Sequence, residues 1–215
     1  MQTETLLRSA VAELTDRASA DLAIIWRRIS SAVEAREVLA EVLPAIVDTY
    51  GAAAGAVAAE WYDDLRLEKG VGGRFFAVPA QPAVESVDAL IGWGTGPLLG
   101  DKPDPSSALT LIQGGLQRRV ADVARTTIQI ASYDDPKASG WQRQSSGGCT
   151  FCQMLAGRGA VYSAKHADFA SHDNCNCTAI PAFRGEPLPV RPYVPSLHSS
   201  TDADRARVRA YIASH

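Results

Sequence analysis

The chain has 215 residues, of which 46% are hydrophobic and 21% charged, with a formal net charge of −3 and a pI near 5.8. That length suits one ordinary domain with a small appended module, and the apolar content is enough for a real core. The acidic balance excludes a chain that coats nucleic acid by bulk charge, although a local basic patch stays compatible with it. No uninterrupted apolar run reaches the roughly 20 residues of a membrane span, so no membrane contact is expected. Met1-Gln2-Thr3-Glu4 lacks the basic and apolar regions of a signal peptide. Cytosolic synthesis is therefore expected, where cysteines serve as thiols or metal ligands rather than disulfides.

In chain order, the first expectation is helix from Thr3 to about Glu68. Leu6, Ala10 and Leu14, then Leu22, Ile25 and Ile29, recur at helical spacing. Ser31 with Glu34 matches a capping box and starts a new helix, in which Val38, Val42, Ile46, Val57, Trp61 and Leu65 continue the apolar stripe. Pro44 should kink or break it, and Lys69-Gly70 should stop it. Residues 70–105 are rich in glycine and proline, with a short extended piece at Phe75–Val78 and a short helix near Ala83–Ile91. Asp104-Pro105 then opens a long helix to about Ser132, with Leu109, Ile112, Leu116, Val120 and Val123 on one face. Short strands are expected at Trp141–Ser145 and Thr178–Ala182. Beyond Pro181 a proline-rich arm leads to a short helix over Asp202–Ile212.

The fold class expected is α+β, mainly α. A helical region spans 1–135, a small Cys/His module 136–184, and an extended proline-rich tail 185–215.

All four cysteines fall between 149 and 177. Cys149-Thr150-Phe151-Cys152 is a C-x-x-C, and His172-Asp173-Asn174-Cys175-Asn176-Cys177 is an H-x-x-C-x-C. Zinc takes four soft or borderline donors in a tetrahedron, and a C-x-x-C on a turn supplies two thiolates at the right separation. The second motif offers three candidates for the other two places. The metal positions are thus Cys149, Cys152, His172, Cys175 and Cys177, with one group over. The other readings are buried free thiols and a redox pair, but a thioredoxin-type C-x-x-C belongs to a βαβ context that this helical chain lacks.

A catalytic zinc keeps an open position and needs a general base. The deaminase signature fails because Gly147-Gly148 precedes Cys149 and Asp173-Asn174 follows His172, and neither H-E-x-x-H nor a Walker A sequence occurs. The zinc is accordingly expected to be structural, with no catalytic residue assigned. Gly92–Pro97 reads as a turn rather than a phosphate loop. Ser145-Ser146-Gly147 with His166 lacks a nucleophile elbow. His166 reads as a loop histidine, and His198 and His215 as solvated. Arg118-Arg119 and Arg125 read as the solvated face of the long helix, although Arg118, Arg125 and Arg143 together could meet phosphate or an acidic partner. Trp26, Trp61 and Trp93 read as core or interface anchors.

Gly140-Trp141-Gln142-Arg143, the run Cys149 to Gly159, Val161-Tyr162, His172-x-x-Cys175-x-Cys177 and Pro181 resemble the Mu F-like minor head proteins of tailed bacteriophages, especially those of actinobacteriophages. The likeness is specific over about 140–183. It implies a minor capsid or head-morphogenesis protein that acts in procapsid assembly near the portal, with portal or major capsid proteins as partners. Packaged DNA is a further possible contact. The same resemblance implies a place in the virion and in the host cytoplasm during assembly, with Arg158-Gly159 and Val161-Tyr162 forming the turn between the ligand pairs. Competing classes are a zinc-dependent enzyme, either nuclease or capsid maturation protease, and a DNA-binding zinc module. No protease constellation is visible in the sequence.

Overall fold

The computed structural model describes residues 2–99, 101–145, 147, 149–159, 162 and 169–183. It is mainly helical, with a small antiparallel sheet of two strands. The elements are α1 (Gln2–Trp26), α2 (Ala32–Glu68), α3 (Val87–Gly94), α4 (Pro105–Asp134), β1 (Gly140–Gln144), α5 (Thr150–Ala156) and β2 (Thr178–Ala182). Short 3-10 turns at Val84–Ser86 and Gly96–Leu98 flank α3. The tail from 184 onward, with its expected terminal helix, lies outside the described residues, as do Val161, His166, His198 and His215.

Helices α1, α2 and α4 pack together, with α2 against α4 as the largest contact. The helix ends follow the sequence. Ser31 caps α2 by accepting from the Glu34 amide at 3.2 Å, and Asp104 caps α4 by accepting from the Ser107 amide at 3.0 Å. The capping box is shifted by one residue, because the Glu34 carboxylate takes the amide of Ser30, not of Ser31. Lys69 closes α2 and Gly70 follows at φ 62°, a conformation glycine adopts without cost. Pro44 does not end α2, which runs through it.

Leu22, Ile46, Trp61 and Leu65, and Ile112, Leu116, Val120 and Val123 of α4, are buried as expected, but elsewhere the stripes of α1 and α2 differ from the expected ones by one position. In α1 the core residues are Leu7, Val11, Ala18 and Leu22, while Leu6 is 65% exposed. In α2 they are Leu39, Leu43, Ile46 and Val47 rather than Val38 and Val42. Adjacent apolar pairs allow either register, and the packing partner chooses. By length and mean hydropathy α2 would pass as a membrane-crossing helix, with 44% of its most apolar window buried. Much of that apolarity is the small-residue face of Gly51, Ala54, Gly55, Ala58 and Ala59, turned inward. A Cβ on Gly55 would come within 3.1 Å of Val123 Cγ1 and 3.2 Å of the Ala80 carbonyl, so glycine lets α4 and the crossing chain pack closely there.

Phe75–Val78 belongs to no helix and pairs with no strand among the described residues. Its inward groups are held by α2 and α4. The Ala77 amide donates to Asp63 at 3.0 Å, and the Ala80 amide donates to Thr127 Oγ1 at 3.0 Å.

At the end of α4 lies a buried ion pair. Arg66 Nε donates to Asp135 Oδ2 at 2.6 Å, with side chains 7% and 0% exposed. The Tyr62 hydroxyl adds a bond to the same oxygen at 3.2 Å, and the Lys137 amide donates to Oδ1 at 2.9 Å. Burial and the Asp135 charge push the Tyr62 phenol well above its ordinary range. Both strands then dock on α4, and their buried residues join those of the helices in one core.

Candidate metal centre

Strand β1 pairs with β2 from Gly140↔Ala182 to Gln144↔Thr178, and two segments between them carry the cysteines. The first opens α5, a helix the sequence reading did not foresee. Cys149 is extended at its N-cap position, and the Gln153 amide donates to the Cys149 carbonyl at 2.9 Å. Helical spacing then turns Cys152 and Leu155 to the same face, where they are 1% and 8% exposed.

The second segment runs from Phe169 to Cys177 as a hook laid along α4. The Cys175 amide donates to the His172 carbonyl at 3.1 Å, and Asn174 sits at φ 61°. Gly114 on α4 leaves room for the hook, since a Cβ there would lie 3.0 Å from Asn174 Nδ2. Gln117 Nε2 on α4 donates to Asn176 Oδ1 at 2.7 Å. Arg125, also on α4, donates from Nε to the Cys177 carbonyl at 2.9 Å and from Nη2 to the Cys175 carbonyl.

The two segments bring the five sequence-predicted donors together. They form two triads, Cys149–Cys152–His172 and Cys152–Cys175–Cys177, each with its donor atoms within 4.8 Å of one another. Cys152 belongs to both. Its Sγ lies 3.4 Å from His172 Nε2 and 3.8 Å from Cys175 Sγ. Tetrahedral zinc bonded to sulfur at about 2.3 Å and nitrogen at about 2.0 Å spaces two thiolates about 3.8 Å apart and a thiolate and imidazole about 3.6 Å apart. These two spacings around Cys152 are those a tetrahedral zinc requires. All four cysteines are free, and 3.8 Å is far beyond a disulfide bond length. His172 Nδ1 lies 2.8 Å from the Asp173 carbonyl oxygen, which turns Nε2 toward the sulfurs.

The thiols are unlike one another. Cys149 has its pKa lowered, first by the Cys152 backbone amide and also by His172. Burial, with Cys177 beside it, pushes Cys152 up to about 11. Cys175 is raised further, by its contact with Cys177 and then by burial. An array of neutral thiols is what burial favours when no cation is bound, and a metal reverses that preference.

Two arginines define the surroundings and correct the sequence reading. Arg125 and Arg143 are each 3% exposed, so neither is a solvated side chain and neither is placed to meet a phosphate. Arg143 Nη1 stands 3.4 Å from Cys152 Sγ and 3.9 Å from Cys175 Sγ, and Nη2 donates to the Phe169 carbonyl. Its guanidinium lies 3.7 Å from the centroid of the Phe169 ring, which Arg125 also faces at 5.0 Å. Trp141 continues the stack, 5.6 Å from Phe169 and 4.3 Å from Tyr162. Tyr162 also bridges to Trp141 through both backbone bonds. Phe169 was not singled out from the sequence, and nothing in its local pattern marks it. Arg118 alone of the three arginines stays at the surface, pairing with Asp122 and Asp173 at 3.6 Å each. Gly92–Pro97 forms the end of α3 and a 3-10 turn, in keeping with its reading as a turn. Trp61 is buried, and Trp93 is 53% exposed.

Fold and site together define a mainly helical protein with a metal-capable Cys/His cluster clamped on its longest buried seam. A family model described as VG15 protein matches residues 2–200, and the chain belongs to that family, which points to a phage-encoded protein. No curated protein and no solved structure matches it.

Proposed function

We propose that the chain is a minor component of the phage head that acts in procapsid assembly beside the portal, with a structural zinc stapling its Cys/His module over about 136–184. The observation that carries the zinc is the convergence of five soft or borderline donors, from two segments, around Cys152, with His172 and Cys175 at tetrahedral spacing from it. When bound, the ion replaces thiol protons and ties the α5 segment to the hook. What it gains in binding is gained in folding, which matters for a module with only two short strands.

A structural role is favoured over a catalytic one because neither triad contains a carboxylate to serve as a general base. A DNA-binding role draws less support, because Arg125 and Arg143 are spent on carbonyls and sulfurs. The head-assembly role is supported by the phage family and by the resemblance of the Cys/His module to Mu F-like proteins. Portal or major capsid proteins are then the partners, the virion and the host cytoplasm are the locations, and no membrane is involved.

Two measurements test the reading. Elemental analysis of the purified chain should return one zinc per chain, and none under metal-replete reducing conditions would overturn the metal. Mass spectrometry of procapsids assembled from the phage's own portal, capsid protein and this chain should find the chain retained. Its absence from both procapsids and virions would overturn the assembly role.

A further inference from the structure

We infer that the zinc ligands are Cys149, Cys152, His172 and Cys175, that Arg143 is the buried counter-charge of this shell, and that Cys177 lies outside it. This rests on the zinc reading above and settles which of the five donors is left over.

Three observations separate Cys177 from the rest. First, the four assigned ligands come as two pairs of equal spacing, each on a hydrogen-bonded turn. Cys149 and Cys152 are joined through the first turn of α5, and His172 and Cys175 through the Cys175 amide on the His172 carbonyl at 3.1 Å. Cys177 lies beyond the second turn. Its carbonyl is held by Arg125 at 2.9 Å, and the next residue, Thr178, begins β2. Arg125 holds the Cys175 carbonyl as well, so it is the start of the paired strand that fixes the Cys177 backbone independently of any ion.

Second, His172 is already posed as a ligand. The Asp173 carbonyl, 2.8 Å from Nδ1, accepts the proton there, which leaves the Nε2 lone pair facing Cys152 at 3.4 Å. Zinc-bound histidines are oriented in this way, with the far nitrogen donating to a carbonyl or carboxylate. A surface histidine with no such duty would gain nothing from aiming Nε2 at a buried sulfur.

Third, the charges balance for one set and not the other. A buried guanidinium without a counter-charge is strongly unfavourable. Arg125 has its counter-charge in Asp122, at 2.6 Å. Among the described residues Arg143 has only carbonyls and the sulfurs of Cys152 and Cys175. Zinc with three thiolates and a neutral imidazole carries a single net negative charge, which Arg143 neutralises. Four thiolates would add a second negative charge, which Arg143 alone does not neutralise.

The direct test is zinc K-edge absorption spectroscopy of the full-length zinc-loaded chain. Three sulfurs and one nitrogen around the ion are expected, and four sulfurs would overturn the assignment while leaving the zinc reading intact. A chain that takes up no zinc at all would overturn both. Competition against a chromogenic chelator supplies the second readout. Cys177→Ser should hold zinc within about threefold of the parent, whereas Arg143→Met should weaken it by roughly 10–100-fold with Arg143→Lys recovering part of the loss. Weaker binding in Cys177→Ser than in His172→Ala, or full affinity in Arg143→Met, would refute the roles given to those residues.

Discussion

Arg66 and Arg143 are both buried arginines, 6% and 3% exposed, and the two regions that hold them treat the charge in opposite ways. In the helical body Arg66 meets Asp135, a carboxylate supplied from the end of α4 and held in turn by Tyr62 and the Lys137 amide. That network is complete within the chain. In the Cys/His module Arg143 meets carbonyl oxygens and two sulfurs. Its charge is answered fully only if those sulfurs are anionic. The body closes its own electrostatics, and the module would close its own with the proposed zinc. Metal and protein charge should therefore act separately on the two regions.

The largest expected effect is on the module. Cys152 belongs to both triads, so Cys152→Ser should abolish zinc uptake, and the module should lose protection against proteolysis while most helical circular dichroism remains. A variant that unfolds the helices as well would show that the body leans on the module, contrary to the comparison. Next comes the body itself. Asp135→Asn leaves the Arg66 guanidinium buried without its counter-charge, and breaking such a pair costs about 3–5 kcal/mol. Urea denaturation should show that loss, and zinc content should stay unchanged. A loss of zinc at equal protein concentration would couple the two regions.

The two regions were also unequally legible in the sequence. The helix ends could be read, because Ser31, Asp104, Pro105 and Gly70 act through local bonds within a turn. So could the five donors, whose spacing reflects the geometry of a metal. The first halves of the α1 and α2 stripes lie one residue from the expected positions because Leu6-Leu7, Val38-Leu39 and Val42-Leu43 offer two apolar faces to a periodicity argument. The roles of Arg66, Arg125 and Arg143 were illegible for a different reason. Arg66 and Asp135 are 69 residues apart, and Arg125 reaches the Cys177 carbonyl across 52. No local pattern distinguishes an arginine that folding will bury from one on a solvated face. Helix α5 escaped notice because its seven residues are too few to show a period.

A smaller effect isolates the docking of the hook on α4. Asn174 adopts φ 61°, which costs a residue with a Cβ about 1–2 kcal/mol unless, like asparagine, it can bond locally. Asn174→Ala should therefore lower module stability by about 1 kcal/mol, and Asn174→Gly should not, because glycine accepts that conformation freely. Zinc retention during thermal unfolding is a suitable reading. Equal losses in both variants would place the contribution in the Asn174 side chain against Gly114 and not in the backbone.

The smallest expected effect belongs to the body and is a matter of pH. Glu34 accepts from the Ser30 hydroxyl at 2.6 Å and from the Ser30 amide at 2.8 Å, and these bonds, the hydroxyl first, hold its pKa below the ordinary glutamate value. A carboxyl group whose folded pKa is depressed contributes stability above its unfolded pKa and loses it as the pH falls through the folded one. Asp104 behaves alike at the start of α4, through the hydroxyl of Ser107 and then its amide. Acid should thus loosen the first turns of α2 and α4 as the pH drops below about 4. Glu34→Gln keeps an acceptor oxygen but removes the titration, so its thermal midpoint should lie below that of the parent at neutral pH and converge with it in acid. Zinc thiolates are also protonated in acid, so the comparison belongs in a zinc-free Cys152→Ser background. A constant gap between the two midpoints across that range would mean that the capping charge does not stabilise α2, and that the geometry of the cap alone starts the helix.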